Sequence, residues 1–215
     1  MEPMILYFVL FFPGVLNSSI REVTTIIPYS ILRELSRTIT YTIPALALLW
    51  YLISDKNGFS ALEEEKPCKN DIFPFIIGLP GLIAIGLGLS LLITFFSGSH
   101  NLTMPPKIEA PHNIAGWVVL VFSCLGTGYL EESYFRFYLL TKLENYLPQV
   151  VFRIMLSTAL FAVCHIYEGP WGIANAVLAG VLLSVLFVRF RSLHSVALAH
   201  GAYNIFVYVV GFFTG

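Results

Sequence analysis

Charged residues are missing from seven long stretches of this 215-residue chain: 3–20, 38–54, 72–106, 110–130, 154–167, 169–188 and 192–215. A helix crossing the hydrocarbon of a bilayer needs ~20 mostly apolar residues, with a range of about 17–25. All seven stretches meet or approach that length. Stretch 72–106 can hold a helix plus a loop, and 154–167 reaches a full span if Arg153 snorkels toward the head groups. The alternating pattern of a barrel strand is absent, so the spans are predicted to be helical. Composition points the same way. Residues of the AVILMFWYC set make up 57% and charged residues 12%, against ~45–50% and ~25% in soluble domains. So much apolar surface with so few charges to cover it does not fit a water-soluble core. A net charge of -1 leaves no basic patch, which argues against nucleic acid as a partner.

Spans are predicted at about 4–17, 38–54, 73–96, 114–140, 151–167, 171–190 and 194–213, an all-α polytopic bundle of seven to eight spans. Segment 18–37, with Arg21, Arg33 and Arg37, reads as an interfacial helix. The loop 55–72, with Glu63-Glu64-Glu65, reads as a solvated connection, and Met104-Pro105-Pro106 as part of a turn-rich linker. Lys and Arg number seven on one face and four on the other if the N-terminus is cytoplasmic, which favours N-in and C-out. The N-terminus has no positive n-region and no small-residue cleavage site, so the first span is expected to stay in the mature chain. The three cysteines, Cys68, Cys124 and Cys164, lack CxxC spacing, and two lie in apolar helices as small hydrophobes.

Ionisable groups at membrane depth cost several kcal/mol and are functional candidates by default. Segment 114–140 carries Glu131, Glu132 and Arg136. Glu132 and Arg136, four apart, are predicted to pair along one helix face. Glu131, about 100° around the helix, is predicted to point elsewhere with no local partner. His165 lies one turn beyond Phe161, and Asn204 one turn beyond His200, so each pair shares a face. Counted from the presumed cytoplasmic ends at ~1.5 Å per residue, these groups can meet in one half of the bilayer. The plainer reading is helix packing and interhelical hydrogen bonding, but two histidines and an unpartnered glutamate on separate helices make it less attractive. His100, His112 and His194 are expected to be solvated. Ser133, Ser157 and Ser184 are expected to bond their own helix backbones. No GxSxG, Ser/Lys or HExxH arrangement is present, and Cys164 projects away from His165.

A carboxylate, two imidazoles and a carboxamide suit amide hydrolysis. Glu131 could deprotonate a water held jointly with His165, and His200 with Asn204 could donate to the oxyanion. Glu132–Arg136 would lock the helix that carries Glu131.

These motifs, Glu131-Glu132-x-x-x-Arg136, Phe161-x-x-x-His165 and His200-x-x-x-Asn204 in this order, resemble the CPBP family of CAAX-processing and bacteriocin-processing intramembrane proteases. The Ala179-Gly180-Val181 region and the Arg189-Phe190-Arg191-Ser192-Leu193 turn extend the likeness over roughly 114–210. The resemblance implies a helical membrane endopeptidase with a conical polar cavity, whose catalytic core is 114–215 and whose 1–113 supplies N-terminal helices and loops. It implies Glu131 and His165 on the water, His200 and Asn204 on the oxyanion, and Glu132, Arg136 and Phe161 in support. No cofactor is favoured. A zinc site of Glu131, His165 and His200 is the alternative. The expected partners are a protein or peptide substrate and the lipid bilayer, and the expected location is the cytoplasmic membrane of a prokaryote. A catalytically silent immunity or scaffold protein and a proton-coupled transporter remain the competing classes.

Overall fold

The computed structural model describes residues 2–12, 26–57, 69–97 and 107–214. They form seven helices. Helix α1 is Glu2–Leu10. Helix α2 runs over 31–57, with a π-helical turn at Thr38–Thr42 between two α-helical parts. Helix α3 is Ile72–Ser97. Helix α4 covers 114–143 and contains a π-helical stretch at Ser133–Leu139. Helices α5, α6 and α7 are Val150–Cys164, Gly169–Phe190 and Leu193–Thr214. A two-residue parallel pairing joins β1, Ile26–Ile27, to β2, Lys107–Ile108.

The expected helical membrane bundle is what forms. Four helical segments are long and apolar enough to cross a bilayer: Ile72–Phe96, Ile114–Leu143, Ile166–Phe190 and Leu193–Phe213. Val150–Cys164 is apolar but has only 15 residues. Its Arg153, expected to snorkel, pairs with Glu144 at 2.8 Å. The first expected span is described only as far as residue 12, and the interfacial helix expected over 18–37 is seen only as the start of α2. His100, Cys68, the Glu63-Glu64-Glu65 run and Met104-Pro105-Pro106 lie outside the described residues. Large apolar side chains such as Leu91, Phe95, Ile114 and Phe122 face outward, as suits a hydrocarbon surround rather than water.

Local chemistry sets the helix ends. Asn113 caps α4, accepting from the Gly116 N–H at 2.7 Å, and the Tyr29 hydroxyl donates to the Gly116 carbonyl at 2.8 Å. Outside the membrane helices, a hydrogen bond from His112 and one from the Tyr29 N–H hold the Glu109 carboxyl below the usual carboxylate range. At the α6–α7 corner Arg191 adopts a left-handed conformation, φ 54°. Ser192 then caps α7 by accepting from the Ser195 N–H at 3.2 Å. The Ser192 and Ser195 hydroxyls each donate at 2.6 Å to Asp71, which pins the start of α7 to the start of α3.

Helices α4 and α7 cross where both are glycine. A Cβ on Gly128 would lie 2.7 Å from the Ala197 carbonyl oxygen and 2.8 Å from the Gly201 nitrogen. A Cβ on Gly201 would lie 3.0 Å from Leu125 Cα. Small residues allow backbones in apolar surroundings to approach this closely. The crossing also brings polar side chains together, because Glu131 and Glu132 lie one turn beyond Gly128 and His200 directly precedes Gly201.

Candidate active site

The α4–α7 crossing lays the His200 imidazole against both glutamates. Its Nδ1 is 2.8 Å from Glu132 Oε1, and its Nε2 is 3.6 Å from Glu131 Oε2. A carboxylate can only accept here, so Nδ1–H donates to Glu132. The 3.6 Å approach exceeds hydrogen-bond range and leaves Nε2 open toward Glu131 and the space beside it. The expectation that Glu131 has no partner is therefore corrected. Two side chains about 100° apart on α4 converge because the imidazole of another helix presents a nitrogen to each.

The Glu132–Arg136 pairing expected from their spacing is present, with Nε 3.0 Å from Oε2 and both side chains fully buried. The contact is close but off-axis, an ion pair rather than an aligned hydrogen bond. The guanidinium also donates to the Gly180 carbonyl at 3.4 Å, and its carbon lies 4.4 Å from the Phe161 ring centroid. A Cβ on Gly180 would meet Thr158 Cγ2 at 3.0 Å and Phe161 Cδ1 at 3.3 Å, so this glycine lets α6 come down onto α5 and the arginine. Buried charges need compensation of this kind.

Phe161 is the hub between the two histidines. Its ring centroid is 4.5 Å from that of His165 and 5.8 Å from that of His200. His165 terminates α5, and its Nδ1 lies 2.9 Å from the Phe161 carbonyl oxygen. A carbonyl has no proton to give, so Nδ1 carries the proton and Nε2 presents a lone pair. Asn204 is half-buried one turn beyond His200 on α7, and its carboxamide has no hydrogen-bond partner among the described residues. The structure thus links Glu131, Glu132 and Arg136 to Phe161 and His165 through contacts centred on His200 and Phe161, and Asn204 follows His200 by one turn of α7. Among the described residues, no group of three His, Cys, Asp or Glu side chains is placed to hold a metal ion.

Several weaker expectations change. Ser157 donates to the Phe135 carbonyl of α4 at 2.8 Å rather than to its own helix, and Ser133 and Ser184 hydroxyls are buried without a partner among the described residues. His194 is half-buried, and its Nδ1 lies 2.9 Å from the Tyr129 hydroxyl. Cys164 turns away from His165, as expected, toward the Tyr7 hydroxyl and the Leu160 carbonyl. Sequence reasoning missed a second polar cluster, Glu34, Arg37 and Ser123, because it assigned 18–37 to the interface. The Arg33-Glu34-x-x-Arg37 pattern directly before a charge-free run was the available signal.

Residues 113–206 match the family described as type II CAAX prenyl endopeptidase Rce1-like. No curated protein and no solved structure gives a match. The matched segment begins at the Asn113 cap and ends just beyond Asn204, so it encloses every residue of the cluster. Over residues 113–206 the chain is similar to the Rce1-like CAAX endopeptidases, in keeping with the resemblance of its motifs to the CPBP family.

Proposed function

We propose that this protease cuts a peptide bond near the C-terminal, membrane-proximal part of its substrate, with Glu131 and His165 activating a water and His200 and Asn204 receiving the oxyanion. The observation that carries the reading is the division of labour between adjacent glutamates. Glu132 is fully buried and committed to Arg136 and His200, whereas the Glu131 side chain keeps 17% of its surface open. Only Glu131 can meet a water and a substrate.

A water donating one O–H to Glu131 and the other to the His165 Nε2 lone pair has its own lone pair free to attack the scissile carbonyl. As the C–O bond forms, the first proton passes to the Glu131 carboxylate. The carbonyl oxygen becomes an oxyanion, facing the His200 Nε2–H of an imidazolium whose Nδ1–H is held by Glu132, and the Asn204 amide. Collapse breaks the C–N bond, and the leaving amine takes its proton from Glu131. Water and one peptide bond are consumed, a carboxylic acid and an amine are released, and the carboxylate is regenerated.

We read the reaction as metal-independent and the location as a prokaryotic cytoplasmic membrane. The test is turnover of purified protein in detergent on prenylated CAAX peptides, bacteriocin-leader peptides and sorting-signal tails, with and without a strong chelator. Cleavage of the first class, unchanged by chelator, is the expected result. Inhibition that zinc reverses would recast Glu131, His165 and His200 as metal ligands. A protein that cleaves none of the three would return the cluster to a packing or proton-transfer role.

A further inference from the structure

We propose that Glu168 binds a lysine or arginine side chain of the substrate beside the scissile bond, so that the protease prefers sites flanked by a positive charge. The proposal rests on the endopeptidase reading above.

Glu168 lies within an apolar helical segment, Ile166–Phe190, and is half-buried. Three other glutamates inside the bundle are compensated. Glu34 faces Arg37, Glu132 faces Arg136, and Glu131 faces the His200 imidazole. No cation or imidazole pairs with Glu168 among the described residues. A charge at this depth without compensation is costly, yet the local backbone is shaped to keep this carboxylate in place. Gly169 has φ 78°, a conformation that glycine adopts far more readily than other residues, and it turns the chain into α6 directly after Glu168. A Cβ on Gly172 would overlap Glu168 Cβ and lie 2.8 Å from its Oε2. Two glycines thus hold the carboxylate folded over the first turn of α6, where the helix dipole favours negative charge.

Contacts tie Glu168 to the Glu131–His200 cluster by two routes. In the first, its N–H donates to the His165 carbonyl at 3.0 Å, which closes the 3-10 turn Ile166–Glu168. Side chains three apart in such a turn eclipse, so Glu168 leaves the backbone on the same side as His165, and Phe161 joins His165 to His200. The turn rises about 6 Å, a distance that one or two extended residues of a bound peptide span. The second route runs through α6 and α7. Asn175 is one turn beyond Gly172, and its Oδ1 accepts from the Tyr203 hydroxyl at 3.3 Å. Tyr203 lies one turn beyond His200. The Glu168 carboxylate and the Asn175 oxygen are both acceptors on neighbouring turns of α6. An ammonium or guanidinium carries several donors and no acceptor, so a lysine or arginine side chain matches them and supplies the missing positive charge.

The test uses the full chain in a non-ionic detergent and two series of S-farnesyl peptides, ending Xaa-Cys-Val-Ile-Met and Cys-Xaa-Ile-Met. In each series Xaa is Lys, Gln or Glu. In at least one series wild type should prefer the Lys peptide over the Gln peptide in kcat/KM by about ten- to a hundred-fold, the usual worth of hydrogen bonds to a charged group. The Glu peptide should be the slowest. Glu168→Gln should bring the Lys peptide down to the level of the Gln peptide, and Glu168→Lys should reverse the order in favour of Glu. Gly172→Ala, which displaces the carboxylate, should lose part of the preference. Equal loss on all peptides in Glu168→Gln, with the Lys preference retained, would assign Glu168 a purely structural role and overturn the proposal. Equal cleavage of the Lys, Gln and Glu peptides by wild type would overturn it too, while leaving the endopeptidase reading in place. A wild-type protein that cleaves no member of either series would overturn both.

Discussion

Two carboxylate–guanidinium pairs sit in this bundle, and they differ in burial. Glu132–Arg136 is sealed, with both side chains at 0% exposure and Phe161 and Gly180 closing over the arginine. Glu34–Arg37 is sealed only at the carboxylate, and the arginine is 47% exposed. A sealed pair is a structural fixture, because removing one partner strands a charge in surroundings that cannot solvate it. An open pair contributes little to stability and keeps donors for a ligand. The first pair fixes α4 beside His200, and the second leaves its guanidinium open.

The sharpest way to break this comparison is Glu132→Ala. It strands Arg136 and releases the Nδ1 of His200, so we expect a loss of about 3–5 kcal/mol in stability together with activity. Thermal unfolding of the variant in detergent at the wild-type temperature would contradict the sealed-pair account. Glu131→Ala comes next. His200 keeps its 2.8 Å bond to Glu132, so folding should survive while the rate falls by roughly 10²–10⁴, the usual reach of general base catalysis. Normal turnover in that variant would remove Glu131 from the mechanism.

Asn204→Ala should lower kcat by about 10²–10³ with little change in KM, as for loss of one oxyanion donor. Asn204→Asp should be slower still, since it offers a negative charge to an oxyanion. Steady-state kinetics of both variants on one peptide decide it. An Asp variant as active as wild type would mean that the position acts through its acceptor oxygen. The smallest effect belongs to the open pair. Arg37→Gln should shift stability by only about 0–1 kcal/mol, and a melting curve displaced as far as that of Glu132→Ala would erase the distinction between the two pairs.

The sequence was legible where one helix contains the whole relation. The Glu132–Arg136 pair, the stacking of His165 over Phe161 and the sharing of a face by His200 and Asn204 all follow from the 3.6-residue period. So does the membrane setting, because charge-free runs of this length leave helices as the way to satisfy every backbone group in hydrocarbon. Relations between helices were not legible. Ser157 was expected to bond its own backbone and instead reaches Phe135, 22 residues away. The contact of half-buried His194 with Tyr129, 65 residues away, was not foreseen either.

The sequence by itself therefore determined that this chain is a helical membrane bundle with a few costly polar groups, and which of them share a helix face. Only the tertiary structure decided that Glu131 and Glu132 flank one imidazole, that Phe161 stands between two histidines, and that Arg37 is anchored by a serine 86 residues away. The physical reason is that periodicity fixes directions around a single axis but says nothing about which faces of two axes meet. Here that choice depends on Gly128 against Gly201 and on Gly180 over Phe161, places where a missing side chain lets two backbones close and carries the polar groups beside them into contact.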